Sequence, residues 1–115
     1  MFSEGIFMVN ENLIKKLISL GILVSKTLRL SIQSVEDRND GLADEAVLQN
    51  EQITQMSLDI EEYSQKILAL HQPVAIDLRF VVMALKIAND LENIGDLLAL
   101  IAKNGKVISR DRDFV

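Results

Sequence analysis

The 115-residue sequence contains no cysteine and no tryptophan, and it has one proline and one histidine. Without cysteine there can be no disulfide bond, no cysteine-ligated zinc or iron–sulfur centre and no thiol catalysis. Aromatic residues make up 4% and hydrophobic residues 49%, so the core must consist of aliphatic side chains, as in helical bundles. The sequence has no nucleophile–base pair and no glycine-rich phosphate loop, and it therefore indicates a protein that is not an enzyme.

Charge and hydropathy restrict the classes of partner. A net charge of −5 without a basic stripe argues against nucleic-acid binding. Apolar runs fall short of the ~20 residues that cross a bilayer, and no basic segment precedes an apolar run as in a secretory signal. We therefore expect a cytoplasmic protein. The mean hydropathy of +0.20 is high for a small domain, which indicates apolar surface available for a partner or for self-association.

Turn-forming residues divide the chain into long helical segments. Three helices are predicted, over residues 10–37, 43–70 and 73–103. Asn10 or Asn12 is the expected N-cap of the first helix, and Asn104-Gly105 the expected C-cap of the third. Arg38-Asn-Asp-Gly41 is predicted to be a turn in which Gly41 is free to take a positive φ, and Pro73 is expected to separate the second helix from the third. The predicted divisions are an N-terminal segment 1–9, a bundle 10–104 and a loosely held tail 105–115.

Apolar residues recur at helical spacing in each segment. The predicted core face of the first helix is Ile14, Leu17, Val24, Leu28 and Val35. That of the second is Val47, Met56, Ile60, Ile67 and Leu70. That of the third, with steps of three and four, is Ala84, Ile87, Leu91, Ile94, Leu98 and Ile101. The pattern predicts an all-α fold, an up-down-up bundle of three long antiparallel helices.

An acidic motif interrupts the apolar pattern of the third helix. Glu92 and Asp96 are four residues apart, so their carboxylates share one helical face and can converge on a hard cation. Gly95 lies between them and leaves room for another backbone, a water or an ion. Two carboxylates bind a metal weakly, and Glu51 and Gln55 are the expected additional ligands from the second helix. The alternative is a solvated or lysine-paired face, since the same spacing occurs at exposed turns.

Other polar residues near the start of the third helix have structural interpretations. Asp77 in the first turn offsets the helix dipole, and Arg79 is predicted to reach an acidic residue of the second helix. His71 follows the second helix and is interpreted as structural or solvated. No Glu precedes it by three residues, so the Glu-x-x-His signature of di-iron bundles is missing.

Three motifs follow one another in this region: Gln72-Pro-Val-Ala75, Asp77-Leu-Arg79 and Asp90-Leu-Glu-Asn-Ile-Gly-Asp96. In this order they resemble the signature of the PhoU family of phosphate-uptake regulators, and the resemblance extends from about Leu13 to Lys103. It implies a cytoplasmic all-α protein that restrains phosphate-starvation signalling and phosphate uptake. The implied partners are a phosphate-specific ABC transporter and its sensor histidine kinase, with membrane association only through them.

The resemblance also implies a metal site and an assembly. Some members of the family bind iron or other metals through acidic motifs, which assigns a ligand role to Glu92 and Asp96 and extends it to Asp90 and Glu51. The ion would be iron, magnesium, manganese, calcium or zinc. Members contain two three-helix repeats and this sequence contains one, so a homodimer is expected, unless the chain is half of a longer protein or a transporter-linked regulatory part.

One departure and two alternatives accompany this interpretation. Asn93 stands where the family motif usually has Arg, which puts an ion pair or partner contact at that position in doubt. A structural helical dimerisation or adaptor module with no metal role is the main alternative function. A carboxylate-bridged metal enzyme is disfavoured because histidine ligands are missing.

Overall fold

Three helices form the computed structural model, which describes residues 3–71 and 75–112, with side chains described for residues 10–71 and 75–108. They are α1 (Ser3–Glu36), α2 (Asp40–His71) and α3 (Ala75–Arg112). No strand occurs within the described ranges. The predicted all-α fold with three long helices is confirmed.

Helices α1 and α3 run parallel to each other and α2 runs antiparallel to both, so the bundle is up-down-up. Asn10 bonds to Asp77 near the starts of α1 and α3, and Ser31 bonds to Leu98 further along, with the same sequence separation of 67 residues in both pairs. All three pairs of helices are in contact along the bundle. The result is a rod of 68 × 17 × 15 Å between Cα atoms.

The turn between α1 and α2 closes through backbone and side-chain hydrogen bonds. Asn39 N donates to Ser34 O at 3.0 Å and Arg38 N donates to Val35 O at 3.3 Å, which is the Schellman pattern of a helix C-terminus. Arg38 takes the positive φ of 51° that this pattern requires. The turn is thus where the sequence predicted it, but its positive φ falls on Arg38 and not on Gly41. Gly41 lies inside α2, whose first turn is capped by Asn39 Oδ1 accepting from Leu42 N at 3.1 Å.

Helices α1 and α3 are longer than predicted. The N-cap predicted at Asn10 or Asn12 is wrong, because α1 begins at Ser3. The C-cap predicted at Asn104-Gly105 is also wrong, because α3 continues to Arg112. Gly105 packs against α1, where an added Cβ would lie 2.7 Å from Val35 Cγ2. Lys106 forms an ion pair with Asp44 at 2.7 Å. The break predicted at Pro73 lies outside the described residues.

The core combines aliphatic and small side chains. Its larger buried members are Leu13, Leu20, Val24, Ile53, Ile60, Ile67, Val81 and Leu98, and a smaller cluster contains Ala43, Ala46 and Ala102. Among the side chains that the structure describes, five polar residues are also buried: Thr27, Ser31, Ser34, Ser57 and Ser64. Small side chains allow helices to approach closely, and buried hydroxyls then need hydrogen-bond partners. Ser31 Oγ donates to Leu98 O at 3.1 Å, and Ser57 Oγ donates to Ala88 O at 3.3 Å.

Part of the predicted core is on the surface. Among the predicted core residues, Val24, Ile60, Ile67, Ala84 and Leu98 are buried, and Leu17, Met56 and Leu91 are partly buried against the core. The prediction was wrong for seven others, which are exposed: Ile14, Leu28, Val35, Leu70, Ile87, Ile94 and Ile101. A large apolar area is therefore exposed on the surface of the bundle.

Two heptad lines, one residue apart, explain the error on α1. The inner line is Leu13, Leu17, Leu20, Val24, Thr27, Ser31 and Ser34, and the outer line is Ile14, Ile18, Gly21, Ser25, Leu28, Ile32 and Val35. The outer line has the larger aliphatic residues in the second half of the helix, yet the inner line is buried. The inner hydroxyls find partners within the bundle, as Thr27 Oγ1 does at 2.8 Å from both Leu23 O and Gln49 Oε1.

Candidate functional site

The acidic motif of α3 faces α2. Glu92 is half-buried and Asp96 is exposed. Asn50 of α2 donates from Nδ2 to Asp96 Oδ1 at 3.2 Å. The predicted pair of carboxylates thus lies along the junction of two helices, open to solvent on one side.

A polar groove of about 280 Å³ runs beside Glu92, between α2 and α3. Its lining residues are Ser57, Glu61, Gln65, Leu85, Ala88, Asn89 and Glu92. The groove therefore contains two carboxylates, one from each helix, together with two side-chain amides. Oxygen donors of this kind can hold a hard cation that keeps part of its water, or they can accept hydrogen bonds from a cationic group.

Gly95 is the point of closest approach between the motif and α2. A Cβ added there would lie 2.8 Å from Asn50 Oδ1 and 3.0 Å from Ile53 Cγ2. The sequence predicted that Gly95 makes room for a neighbour, and the neighbours are these two side chains. Asn50 Oδ1 is buried and has no hydrogen-bond partner within the described residues.

The other two predicted ligands lie apart from this junction. Asp90 is exposed, and its position two residues before Glu92 places it on another side of α3. Glu51 is also exposed, and the bond to α3 comes from its neighbour Asn50. Gln55 donates to Asp59 Oδ1 at 3.2 Å, within α2. In the described part of the chain, no three Asp, Glu or His side chains gather closely enough to hold a metal ion.

Sequence reasoning missed three residues of this site, namely Asn50, Glu61 and Gln65. Ser57, Glu61 and Gln65 follow one another at steps of four on α2, which is a signal for a shared face that could have been read. Asn50 was missed by one position, since Glu51 was chosen in its place. Which of these two residues faces α3 depends on the register between α2 and α3. The apolar period of a single helix carries no information about that register.

The residues at the start of α3 have structural contacts. Asp77 lies in the first turn, as predicted, and its Oδ1 accepts a hydrogen bond from Asn10 Nδ2 at 3.3 Å. The ion pair predicted for Arg79 is wrong. Arg79 is exposed beside Val82 and Lys86, and Lys106–Asp44 is the one ion pair among the described side chains.

A second surface of interest is apolar, and we call it the α1/α3 face. From α1 it takes Ile14, Ile18, Leu28, Ile32 and Val35, and from α3 it takes Met83, Ile87, Ile94 and Ile101, all exposed. A cavity of about 230 Å³ near one end lies between the two helices and is lined by Ile14, Leu17, Phe80, Met83, Ala84 and Ile87. The described residues include six exposed large apolar side chains on α1, three on α2 and eleven on α3, so the exposed apolar surface belongs mainly to α1 and α3.

Helix α2 carries the negative charge. It contains seven carboxylates and one lysine, while the positive and negative residues of α1 and of α3 nearly balance. The bundle is therefore acidic along α2 and apolar along α1 and α3. None of the described helices has a stretch both long and apolar enough to pass through a membrane.

The model of the PhoU domain family matches residues 17–105. The chain belongs to the PhoU family. The match contains the acidic motif, the groove and most of the α1/α3 face, and it confirms the resemblance seen in the sequence.

Three relatives illustrate the likeness. A phosphate-specific transport system accessory protein PhoU homolog 1 from Thermotoga maritima is 36% identical over 90 residues, which is 78% of this chain and 39% of the relative. A PhoU homolog from Pseudomonas aeruginosa is 36% identical over 93 residues, covering 81% and 38%. PhoU from Serratia marcescens is 31% identical over 93 residues, covering 81% and 38%. The chain thus spans about two fifths of the length of these relatives.

Proposed function

We propose that this PhoU-family chain is a non-enzymatic regulator of phosphate transport and phosphate-starvation signalling in the cytoplasm. The observation that carries the proposal is the PhoU domain match over residues 17–105, together with relatives named as accessory proteins of the phosphate-specific transport system. A long rod with an apolar face suits regulation by protein contact.

The partners follow from the same proposal. The chain acts with a phosphate-specific transporter and its sensor histidine kinase, reaches the membrane only through them, and associates as a homodimer. The exposed apolar side chains of α1 and α3 support self-association, because a small monomer seldom leaves so much contiguous apolar surface in water.

Phosphate uptake in a deletion strain tests the function. In phosphate-replete medium, we expect cells without this chain to take up labelled phosphate faster than the parent and to express phosphate-starvation genes. A plasmid copy of the chain should restore the parental rate. Unchanged uptake and unchanged gene expression in the deletion strain would contradict the proposal.

A divalent or ferric cation binds the acidic motif in this proposal, with Glu92 and Asp96 as first ligands and Asp90 and Glu51 as the weaker candidates. Support comes from the half-buried Glu92 carboxylate, the Asp96–Asn50 bond and the adjacent Asn50 Oδ1, which has no hydrogen-bond partner among the described residues. These groups form an open half-site, so the ion would retain water or take further oxygen ligands from another chain.

Metal content per chain tests the cation site directly. Protein purified without chelators or a metal-binding tag would be analysed by plasma mass spectrometry, beside a Glu92→Gln/Asp96→Asn variant and an Asp90→Asn/Glu51→Gln variant. We expect near-stoichiometric metal in the parent, strong loss in the first variant and at most a small loss in the second, because Asp90 and Glu51 lie apart from the junction of α2 and α3. A metal-free parent would contradict the site.

The second candidate function is a helical adaptor whose carboxylates serve only as surface charge. The α1/α3 face favours it, because that face needs a protein partner whether or not a metal binds. Melting and self-association that do not respond to metal, together with normal phosphate regulation by Glu92→Gln/Asp96→Asn, would select this function.

A further inference from the structure

We propose that a cavity between α1 and α2 binds a small phosphate monoester, with Lys15, Lys16 and Ser19 as the groups that hold its phosphate. The lining of this cavity includes no residue of α3, so the cavity is separate from the acidic motif and the inference goes beyond the proposed function. Three features carry it: the mixed lining of the cavity, the free charge of its two lysines and the position of Asp59.

The cavity has both polar and apolar walls and room for a small metabolite. Its lining residues are Lys15, Lys16, Ser19, Met56, Asp59 and Ile60. Ile60 is buried and Met56 is half-buried, so the carbon atoms of a ligand find an apolar surface there. The volume of about 210 Å³ lies below the ~300–1,000 Å³ of sites for drug-sized ligands. The cavity therefore suits a ligand with a few carbon atoms and a charged group.

The three residues of α1 form one compact group of donors. Ser19 follows Lys16 by three residues and Lys15 by four, and these two spacings bring side chains together on the surface of a helix. Lys15 and Lys16 are consecutive, so their side chains leave the helix about 100° apart and reach the cavity from different sides. Two ammonium groups and one hydroxyl can thus donate hydrogen bonds to a single anion.

The charge of the two lysines is not neutralised within the described part of the chain. Neither lysine forms an ion pair with a described side chain, although Asp59 lines the same cavity. Asp59 instead accepts a hydrogen bond from Gln55 at 3.2 Å, along α2. Helix α1 itself has four positive residues and no carboxylate from Asn12 to Val35. An anion that enters the cavity therefore displaces no existing ion pair.

Tyr63 restricts the position of one of the ammonium groups. Lys16 Nζ lies 5.1 Å from the centroid of the half-buried Tyr63 ring, which is the distance of a cation–π contact. An ammonium group has three donors, and the contact with the ring leaves those that point away from it free. A lysine that is already ordered loses less entropy when it binds a ligand.

The number of charges and donors selects a phosphate monoester as the ligand. Such a group carries about −1.5 to −2 charges at pH 7 and has three strong acceptor oxygens. Two ammonium groups neutralise this charge, and Lys15, Lys16 and Ser19 together supply one donor group for each oxygen. A carboxylate has one charge and two oxygens, so it would leave one of these groups without a partner.

Asp59 favours an ester with a hydroxyl group over inorganic phosphate. Its carboxylate lines the cavity and repels any anion held by the two lysines. A hydroxyl group on the carbon skeleton of an ester can offset this repulsion by donating a charge-assisted hydrogen bond to Asp59. Inorganic phosphate has no carbon skeleton that could extend a hydroxyl group toward Asp59 in this way.

Isothermal titration calorimetry of the full chain with glycerol 1-phosphate tests the inference. The variants Lys15→Gln and Lys16→Gln each remove one ammonium group. Lys26→Gln is the matched control, because Lys26 is also exposed on α1 and lies about 16 Å further along the helix than Lys15. We expect saturable binding by the parent and the control, and at least about tenfold weaker binding by the other two, since each loses a charge-assisted hydrogen bond.

A fourth variant, Asp59→Ala, tests the choice between the ester and inorganic phosphate. Without the carboxylate, we expect inorganic phosphate to bind more tightly than to the parent, because the repulsion is gone. The preference for glycerol 1-phosphate over inorganic phosphate should fall about tenfold, because the ester also loses its hydrogen bond. An unchanged preference would overturn the role of Asp59. Circular dichroism of every variant checks that the helices are intact.

Three outcomes overturn the inference as a whole. They are no binding of glycerol 1-phosphate by the parent at millimolar concentrations, parental affinity in Lys15→Gln and Lys16→Gln, or an equal loss in Lys26→Gln. A parent that sediments with phosphatidylglycerol vesicles but does not bind glycerol 1-phosphate would assign the two lysines to a lipid headgroup and would also overturn it. The regulatory function is measured separately, by phosphate uptake in the deletion strain, so either proposal can fail alone.

Discussion

The buried serine hydroxyls of the bundle differ in their hydrogen-bond partners. Ser31 and Ser57 each donate to a carbonyl oxygen of α3, at 3.1 Å and 3.3 Å. Ser64 is equally buried, but its Oγ has no partner within the described residues. A buried hydroxyl without a hydrogen bond has lost its water without compensation, so these serines should differ in their contribution to stability.

Replacing Ser64 and Ser31 by alanine separates the two cases. We expect Ser64→Ala to leave the free energy of unfolding unchanged or to raise it by up to ~1 kcal/mol, and Ser31→Ala to lower it by ~0.5–1.5 kcal/mol. Urea denaturation followed by circular dichroism measures both. An equal loss in the two variants would show that Ser64 Oγ has a partner that the contacts described above do not include.

Gly95 gives a second prediction at this scale. Alanine would favour the helix by ~1 kcal/mol, but its Cβ would lie 2.8 Å from Asn50 Oδ1 and 3.0 Å from Ile53 Cγ2. Overpacking of this kind costs ~1–3 kcal/mol, so we expect Gly95→Ala to destabilise the bundle in urea titrations. The exposed Asn93→Ala on the same helix is the control and should be neutral or slightly stabilising. Equal stability of the two variants would contradict the close contact.

At the scale of the element, the sequence predicted the number and type of the helices well, because each segment has a continuous apolar period. The ends of helices were less predictable. Asn104-Gly105 has the composition of a C-cap, but Gly105 is required by the contact with Val35, and only tertiary packing distinguishes these two uses of glycine. Similarly, two apolar lines lie side by side on α1, and the one that faces the core is the line with Thr27, Ser31 and Ser34, which apolar periodicity does not select.

The turn after α1 provides the prediction at this scale. Arg38 has a φ of 51°, a conformation that costs a residue with a side chain ~1–2 kcal/mol and costs glycine little. Glycine also gains entropy in the unfolded chain, which offsets part of this relief, so we expect Arg38→Gly to raise the free energy of unfolding by only ~0.5–1 kcal/mol. Arg38 is exposed, so few contacts are lost. A destabilised Arg38→Gly variant would indicate that the turn has another backbone conformation.

At the scale of the molecule, the rod has an acidic side along α2 and an apolar side along α1 and α3. The sequence predicted an apolar surplus from hydropathy but did not assign it to particular helices. It also predicted the paired carboxylates Glu92 and Asp96, which share the side of α3 facing α2. Their neighbours Asn50 and Glu61 could not be predicted, because the register between helices depends on packing along their whole length. The family could be recognised from three motifs in a fixed order along the sequence, and this recognition does not require the register between helices.

The most direct test of the account is the rate of phosphate uptake by phosphate-replete deletion cells that carry plasmid copies of this chain. The parent, an Ile18→Glu/Ile32→Glu variant of the α1/α3 face and the control Leu58→Glu, which places a charge on the exposed surface of α2, would be expressed at equal levels. We predict that the parent and the control lower uptake to the normal rate, while the variant, folded but unable to pair through the α1/α3 face, leaves uptake high. Failure of the parent to change uptake would contradict the regulatory function. Full activity of the Ile18→Glu/Ile32→Glu variant would contradict regulation through this face.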